Sequence, residues 1–103
     1  MDQLRFEWDD SKFQMNVQKH GIDFWEAQTV FYDENAILFD DPDHSIEEER
    51  FLLLGMSMFD HLCVVSHCYR DEENTIRIIS ARLATKREKQ TYFDYLGGVM
   101  HER

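Results

Sequence analysis

Three apolar, β-rich runs in succession, Arg50 to Met56, Leu62 to Tyr69 and Thr75 to Arg82, constrain this chain more than any other feature. Met58 to His61 and Asp71 to Asn74 are polar connectors of hairpin length, so the three runs predict an antiparallel meander. Helix signals lie on either side of it. Phe6 to Trp8 reads as a short strand, after which Asp9 or Asp10 caps a helix running to about His20, where Gly21 supplies a left-handed stop. Phe13, Asn16, Val17 and His20 form the inner stripe of that helix. Asp23 followed by Glu26 resembles a capping box and opens a second, short helix through Phe24, Ala27, Val30 and Phe31. Ala36 to Asp40 reads as a strand ended by the turn residues Asp41-Pro42-Asp43-His44-Ser45. Thr85 with Glu88 makes another capping box, for a helix that carries Tyr92, Phe93 and Leu96 on one side and stops at Gly97-Gly98. The order β-α-α-β-β-β-β-α indicates an α+β fold, an antiparallel sheet with helices packed on it.

With 103 residues the chain is expected to be one domain, burying roughly 60 to 70% of its unfolded surface. Cys63 and Cys68 are five apart in a strand, face opposite sides, and read as reduced core thiols. The start shows no apolar signal-peptide run, and no stretch approaches the roughly 18 apolar residues that span a membrane, so a cytoplasmic protein is expected.

Charge is distributed unevenly. The chain carries 11 Lys+Arg against 21 Asp+Glu, a formal net charge of -10, which argues against wholesale coating of nucleic acid. Residues 33 to 49 hold eight acids and no Lys or Arg, whereas Arg70, Arg77, Arg82, Lys86, Arg87 and Lys89 gather in one basic segment. Such a segment suits phosphate or carboxylate, and an acidic body suits a partner of opposite charge.

Each candidate has two readings. Arg77 and Arg82 either pair with the acids of residues 33 to 49 or line an anion site; by strict strand alternation they face opposite ways, so sharing one site requires a bulge or Arg82 beyond the strand end. Arg50 is either a counter-ion for Glu47-Glu48-Glu49 or a group pointing into a cleft. His67, in phase with Cys63, Val65 and Tyr69, is either a satisfied structural histidine or an acid-base group. Trp8, beside a helix carrying Lys12 and Lys19, is either core or a surface that stacks a base. Asp41-x-Asp43-His44-x-x-Glu47 offers oxygen and nitrogen ligands, but turn chemistry and capping explain it more simply, so no metal is assigned. The chain lacks a Gly-rich phosphate loop, a Cys-x-x-Cys pair and a Gly-x-Ser-x-Gly elbow, which excludes the common cofactor enzymes.

Phe6-Glu7-Trp8-Asp9 with Lys12, Asn16 and Lys19-His20-Gly21 resembles the opening of the BrnT toxins, as do Phe24 with Glu26-Ala27, and Val30-Phe31 before Asp33. Asp41-Pro42-Asp43-His44-Ser45, Glu49-Arg50-Phe51, Gly55 with Ser57, Arg77-Ile78-Ile79-Ser80-Ala81-Arg82, Ala84-Thr85, Glu88 and Tyr92 look like the remaining signatures of that family. The resemblance is co-linear over about residues 6 to 95.

It implies a RelE-like fold, with two N-terminal helices packed on the sheet and a C-terminal helix. It also implies a ribonuclease toxin of a type II toxin-antitoxin system, neutralised by a BrnA-like antitoxin that itself carries any operator-DNA binding. RNA cleavage would then proceed by attack of the ribose 2'-hydroxyl on the adjacent phosphate, with no cofactor and no metal. Under that reading Arg50, Arg77 and Arg82 stabilise phosphate, His67 or Tyr92 supplies acid-base chemistry, and Trp8, Lys12, Lys19, Arg70, Lys86 and Arg87 bind RNA. The net charge sharpens an alternative, a catalytically weak or inactive acidic module that docks a basic antitoxin.

Overall fold

The computed structural model describes residues 4–70 and 74–101, with side chains as far as Gly97 in the last helix. The elements are β1 (Arg5–Glu7), α1 (Asp10–His20), α2 (Phe24–Thr29), β2 (Ile37–Asp40), β3 (Phe51–Met56), β4 (Leu62–Tyr69), β5 (Thr75–Leu83) and α3 (Lys86–His101), with 3-10 turns at Val30–Tyr32 and Pro42–His44. Residues 71–73 of the expected Asp71 to Asn74 connector lie outside the described residues.

The start and stop signals act as their chemistry requires. The Asp9 carboxylate accepts from the Ser11 N–H at 2.9 Å, and Gly21, at φ 73°, closes α1 in a conformation that a Cβ would strain. The Asp23 carboxylate accepts from the Glu26 N–H at 2.8 Å. The Thr85 box is reciprocal: the Glu88 carboxylate accepts from the Thr85 N–H at 2.8 Å, and the Thr85 hydroxyl accepts from the Glu88 N–H at 3.2 Å.

β3, β4 and β5 form the antiparallel centre of a five-stranded sheet ordered β1-β5-β4-β3-β2. The sheet is mixed rather than antiparallel throughout, because β1 lies parallel to β5. The long excursion through both helices and the meander brings the chain back to β1 in the same direction, a pairing that no local turn signal reports. Two further expectations are corrected. Val17 is 40% exposed and leaves the inner position of α1 to Asn16. α3 continues through Gly97 to His101, since glycine weakens a helix by about 1 kcal/mol without forcing it to end.

Strand alternation gives the sheet two unlike faces. On one, Phe24, Ala27 and Val30 from α2 and its following turn pack on Leu53, Cys63, Val65, Ile76, Ile78 and Ala81, with Phe6, Trp8, Phe13 and Phe31 around them. Each fully buried Phe, Val or Ile there contributes about 1.5 to 3 kcal/mol. Side chains press closely on Gly55, where a Cβ would meet Ala36 Cβ and Val30 Cγ1 at 2.9 Å. On the other face α3 covers only part of the sheet, through Tyr92 and Leu96 on Leu54, Leu62 and Val64. The Tyr92 hydroxyl donates to Asp33 Oδ2 at 2.7 Å and ties α3 down.

A bulge decides what the uncovered part presents. Ser66 pairs with Ser80 but His67 pairs with Ile78, leaving Ile79 as an extra residue on β5. Arg77 opposite Cys68 and Arg82 opposite Val64 therefore share the face that α3 leaves open. Beyond β1, which pairs only as far as Arg77, the free edge of β5 is met by a side chain. Asn16 accepts from the Ala81 N–H at 3.0 Å and donates to the carbonyls of Ala81 and Ile22 at 2.8 Å each.

Candidate functional site

The open face holds a cavity of about 300 Å³, walled by Asp41, His44, Arg50, Ser66, Ser80 and Arg82. Leu52 and the bulged Ile79 complete its lining. Its outer rim is the loop between β2 and β3, which closes on itself: Ser45 Oγ donates to the Asp41 carbonyl at 2.7 Å and accepts from the Arg50 N–H at 2.9 Å. Pro42 starts the 3-10 turn that follows Asp41, and that turn aims the Asp41 carboxylate at His44. Both carboxylate oxygens lie 3.2 Å from His44 Nδ1. A carboxylate there fixes the tautomer with the proton on Nδ1 and leaves Nε2 to accept one. The imidazole is 66% exposed and therefore reachable from solution.

The two arginines are held differently. Arg82 grips Glu88 with both arms, Nη1 to Oε1 at 2.8 Å and Nη2 to Oε2 at 3.0 Å. That fork holds the Glu88 carboxyl down at about 2 and keeps Arg82 more firmly protonated than usual. Arg50 is less satisfied. Its Nε is buried and has no hydrogen-bond partner, and its nearest carboxylate oxygen, Glu48 Oε2, is 3.8 Å away. A buried donor left unpaired costs about 1 to 3 kcal/mol, so this position favours an incoming acceptor such as a phosphate oxygen.

The remaining expected site residues are placed elsewhere. Arg77 shares the open face but donates to Glu7 at 2.9 Å. Arg70 lies 3.6 Å from Glu7 and 3.9 Å from Glu48. Lys86 and Arg87 are exposed in the first turn of α3, while Lys12 and Lys19 line a different cleft, between α1 and the bulge. Trp8 is packed edge-on against Trp25 at 5.0 Å and Phe24 at 5.9 Å, within the aromatic group of the covered face.

His67 departs most from a role in acid-base chemistry. Alternation turns it to the helix-covered face, where it is 0% exposed and its ring meets Phe31 at 4.8 Å. Its Nδ1 is 3.1 Å from the Val65 carbonyl and its Nε2 is 3.3 Å from the Tyr69 hydroxyl, which together satisfy a neutral imidazole. Burial pushes its pKa below the usual value, opposed by the Val65 bond. Tyr92 is 3% exposed, and burial together with its bond to Asp33 pushes it up to about 12, a poor proton acceptor at neutral pH. Burial also pushes the Cys63 thiol up to about 12, in keeping with an inert core residue, and both cysteines are free.

His44, Ser66, Ser80 and Glu88 were not singled out as site residues by sequence reasoning. An Asp three residues before a His across a proline turn was the available signal for His44. Among the described residues no group of three or more His, Cys, Asp or Glu side chains is arranged to hold a metal ion, and no helix is long and apolar enough to cross a membrane.

The family described as "Ribonuclease toxin, BrnT, of type II toxin-antitoxin system" matches residues 8–88 of this chain. Among solved structures, the ribonuclease toxin BrnT of Brucella abortus, a 1.1 Å crystal structure, is similar with a TM-score of 0.61 and 22% sequence identity. That likeness covers 82% of this chain and 100% of that one, and at this identity it is a likeness of fold. None of the curated proteins compared with the chain matches it.

Proposed function

The chain belongs to the BrnT family of ribonuclease toxins of type II toxin-antitoxin systems, and from that premise we propose that its cavity on the open face cleaves RNA without a metal. The observation that carries the reading is the meeting of Arg50, Arg82 and the His44–Asp41 pair around one cavity of phosphate-accepting character. His44 Nε2 takes the proton of a ribose 2'-hydroxyl while Asp41 orients the ring. The 2'-oxygen bonds to phosphorus and the bond from phosphorus to the 5'-oxygen breaks. The leaving oxygen takes a proton from water at the open mouth, giving a 2',3'-cyclic phosphate and a 5'-hydroxyl end. Arg50 and Arg82 stay charged throughout and neutralise the phosphorane oxygens. A positioned acid-base group contributes about 10²- to 10⁴-fold. The RelE-like designation is part of this proposal, supported by the helix-backed sheet with a C-terminal helix over its other face.

The family pairs each toxin with an antitoxin. A BrnA-like partner with a basic segment suits the acidic stretch of residues 33 to 49, which borders the cavity at Asp41. One observation favours the second reading, a weak or lapsed nuclease that survives as an acidic binding module: Glu88 already occupies both arms of Arg82.

The test is cleavage of RNA by purified, partner-free protein with EDTA present. Arg82→Ala is expected to abolish cleavage with the fold retained, and Arg82→Lys to lose most of it, because lysine keeps the charge but not the fork. Wild-type protein that binds its antitoxin yet cuts no RNA under any metal condition would replace the enzyme reading with the binding module.

A further inference from the structure

We infer that the cleft between α1 and the β5 bulge is a second binding site, for the phosphodiester backbone of single-stranded RNA flanking the cut. This rests on the nuclease reading above and extends it from a reacting phosphate to the path of the strand.

The cleft measures about 610 Å³, roughly twice the cavity on the open face. Lys12, Lys19 and His20 line it together with Gln18. Among the described residues no carboxylate lines it, in a chain that carries 21 acids against 11 Lys+Arg. Of the acids at the start of α1, Asp9 is engaged in capping the helix through the Ser11 N–H. Arg50, Arg70, Arg77 and Arg82 all have carboxylates within ion-pair distance, whereas among the described residues no ion pair engages Lys12 or Lys19. Two solvated ammonium groups with no ion-pair partner among the described residues can exchange their counter-ions for phosphates.

Continuity with the open face is the second observation. Ile79 and Ser80 line both cavities, so the bulge is a saddle between them. β1 stops at Glu7, opposite Arg77, so no strand blocks the edge of β5 at the bulge, and Asn16 closes the sheet only at Ala81. A strand whose scissile phosphate lies at Arg50 and Arg82 can cross at Ile79–Ser80 and lay its next phosphates along Lys12 and Lys19. The side of Met15 facing the cleft and Ile79 give an unpaired base apolar surface without selecting its identity. A protein segment would need a run of acids to use the same groups, whereas this toxin's own acidic stretch, residues 33 to 49, lies around β2 at the opposite edge of the sheet, so an RNA strand fits better.

The test uses 2'-O-methyl oligoribonucleotides, which lack the nucleophile and so report binding without cleavage. The wild-type protein should bind a strand of about ten nucleotides more tightly than a trinucleotide. Lys12→Ala with Lys19→Ala should weaken the longer strand about tenfold and leave the trinucleotide unchanged. The double variant should also flatten the dependence of log affinity on log salt by about 1.4, from roughly 0.7 for each lost phosphate contact on a single strand. Lys89→Ala, an exposed cation on α3, controls for net charge and should change affinity by less than about twofold. If both strands bind and RNA is cut, yet the double variant matches wild type at both lengths, the cleft inference fails and the nuclease reading stands. If the double variant keeps RNA affinity but loses its antitoxin, the cleft is a protein site and the inference is equally overturned. No binding to either strand and no cleavage of RNA would remove both readings together.

Discussion

His67 and His44 lie on opposite faces of the same sheet region, and their surroundings give them opposite chemistry. On the helix-covered face His67 is 0% exposed, ringed by Phe31, Phe51 and Tyr69, bonded at both nitrogens, and pushed toward the neutral form by burial. On the open face His44 is mostly exposed and leans on one carboxylate. The difference shows that cover, rather than residue type or place in a strand, decides which titratable groups can meet a substrate. Phe13 of α1 and Phe24 of α2 help cover one face, and α3 is too far to one side to close the other.

The largest expected effect breaks or keeps that contrast directly. His44→Ala should lower RNA cleavage by about 10²- to 10⁴-fold, whereas His67→Phe should leave the rate per folded molecule within a few-fold. The opposite result, measured on samples with matched near-UV circular dichroism, would put the chemistry on the covered face. Next in size is Asn16→Ala, which strands the Ala81 N–H and two carbonyls at a buried edge. A loss of about 2 to 4 kcal/mol in urea unfolding is expected, with little change if water can replace the amide. Gly55→Ala should cost about 1 to 3 kcal/mol in the same assay, because the new methyl meets Ala36 and Val30.

The smallest effect separates the faces by pH. Because the folded pKa of His67 lies below its unfolded value near 6.5, the unfolded chain takes the proton first as pH falls. Stability should therefore decline below about pH 6.5, by at most roughly 1.4 kcal/mol per pH unit, and His67→Phe should remove that slope. Glu88 acts in a lower window: its folded pKa of about 2 is below its ordinary 4.5, so its contribution is present above that ordinary value and is lost as pH falls toward 2. Partial exposure of the Arg82–Glu88 pair makes this second decline the shallower one. A Glu88→Gln variant that kept the full low-pH decline would assign it to other carboxylates.

Much of the architecture was legible because it is written locally. Asp9, Gly21, Asp23, Thr85 and Glu88 each act on groups within four residues, and the meander is set by alternation and short connectors. What was not legible depends on contacts far apart in sequence. β1 pairs with a strand 70 residues on, as Arg5 with Thr75, and nothing in three residues states a direction. The candidate site shows the same division. Arg77 and Arg82 share a face only through the bulge at Ile79, whose presence ordinary alternation does not announce. His67 in phase with Cys63 and Val65 pointed to the core, but only the position of α2 and its following turn shows how completely it is enclosed. The Asp41–His44 pair reads as turn chemistry until the loop is seen to border a cavity.

Asn16 has a consequence for solubility. By matching the N–H and C=O of Ala81 with a primary amide, it acts as a one-residue decoy strand and denies the β5 edge at Ala81 to any strand from another molecule. The other outer strand, Ile37–Asp40, has no such plug, and Leu38 and Phe39 are exposed along it. Its protection is electrostatic: Asp40 on the strand and Glu34 and Asp41 near its ends act as gatekeepers against fibrillar stacking. The two rims of the sheet thus resist aggregation by unlike means, one by saturating its hydrogen bonds and the other by charge, so acidification or high salt should expose the second rim first.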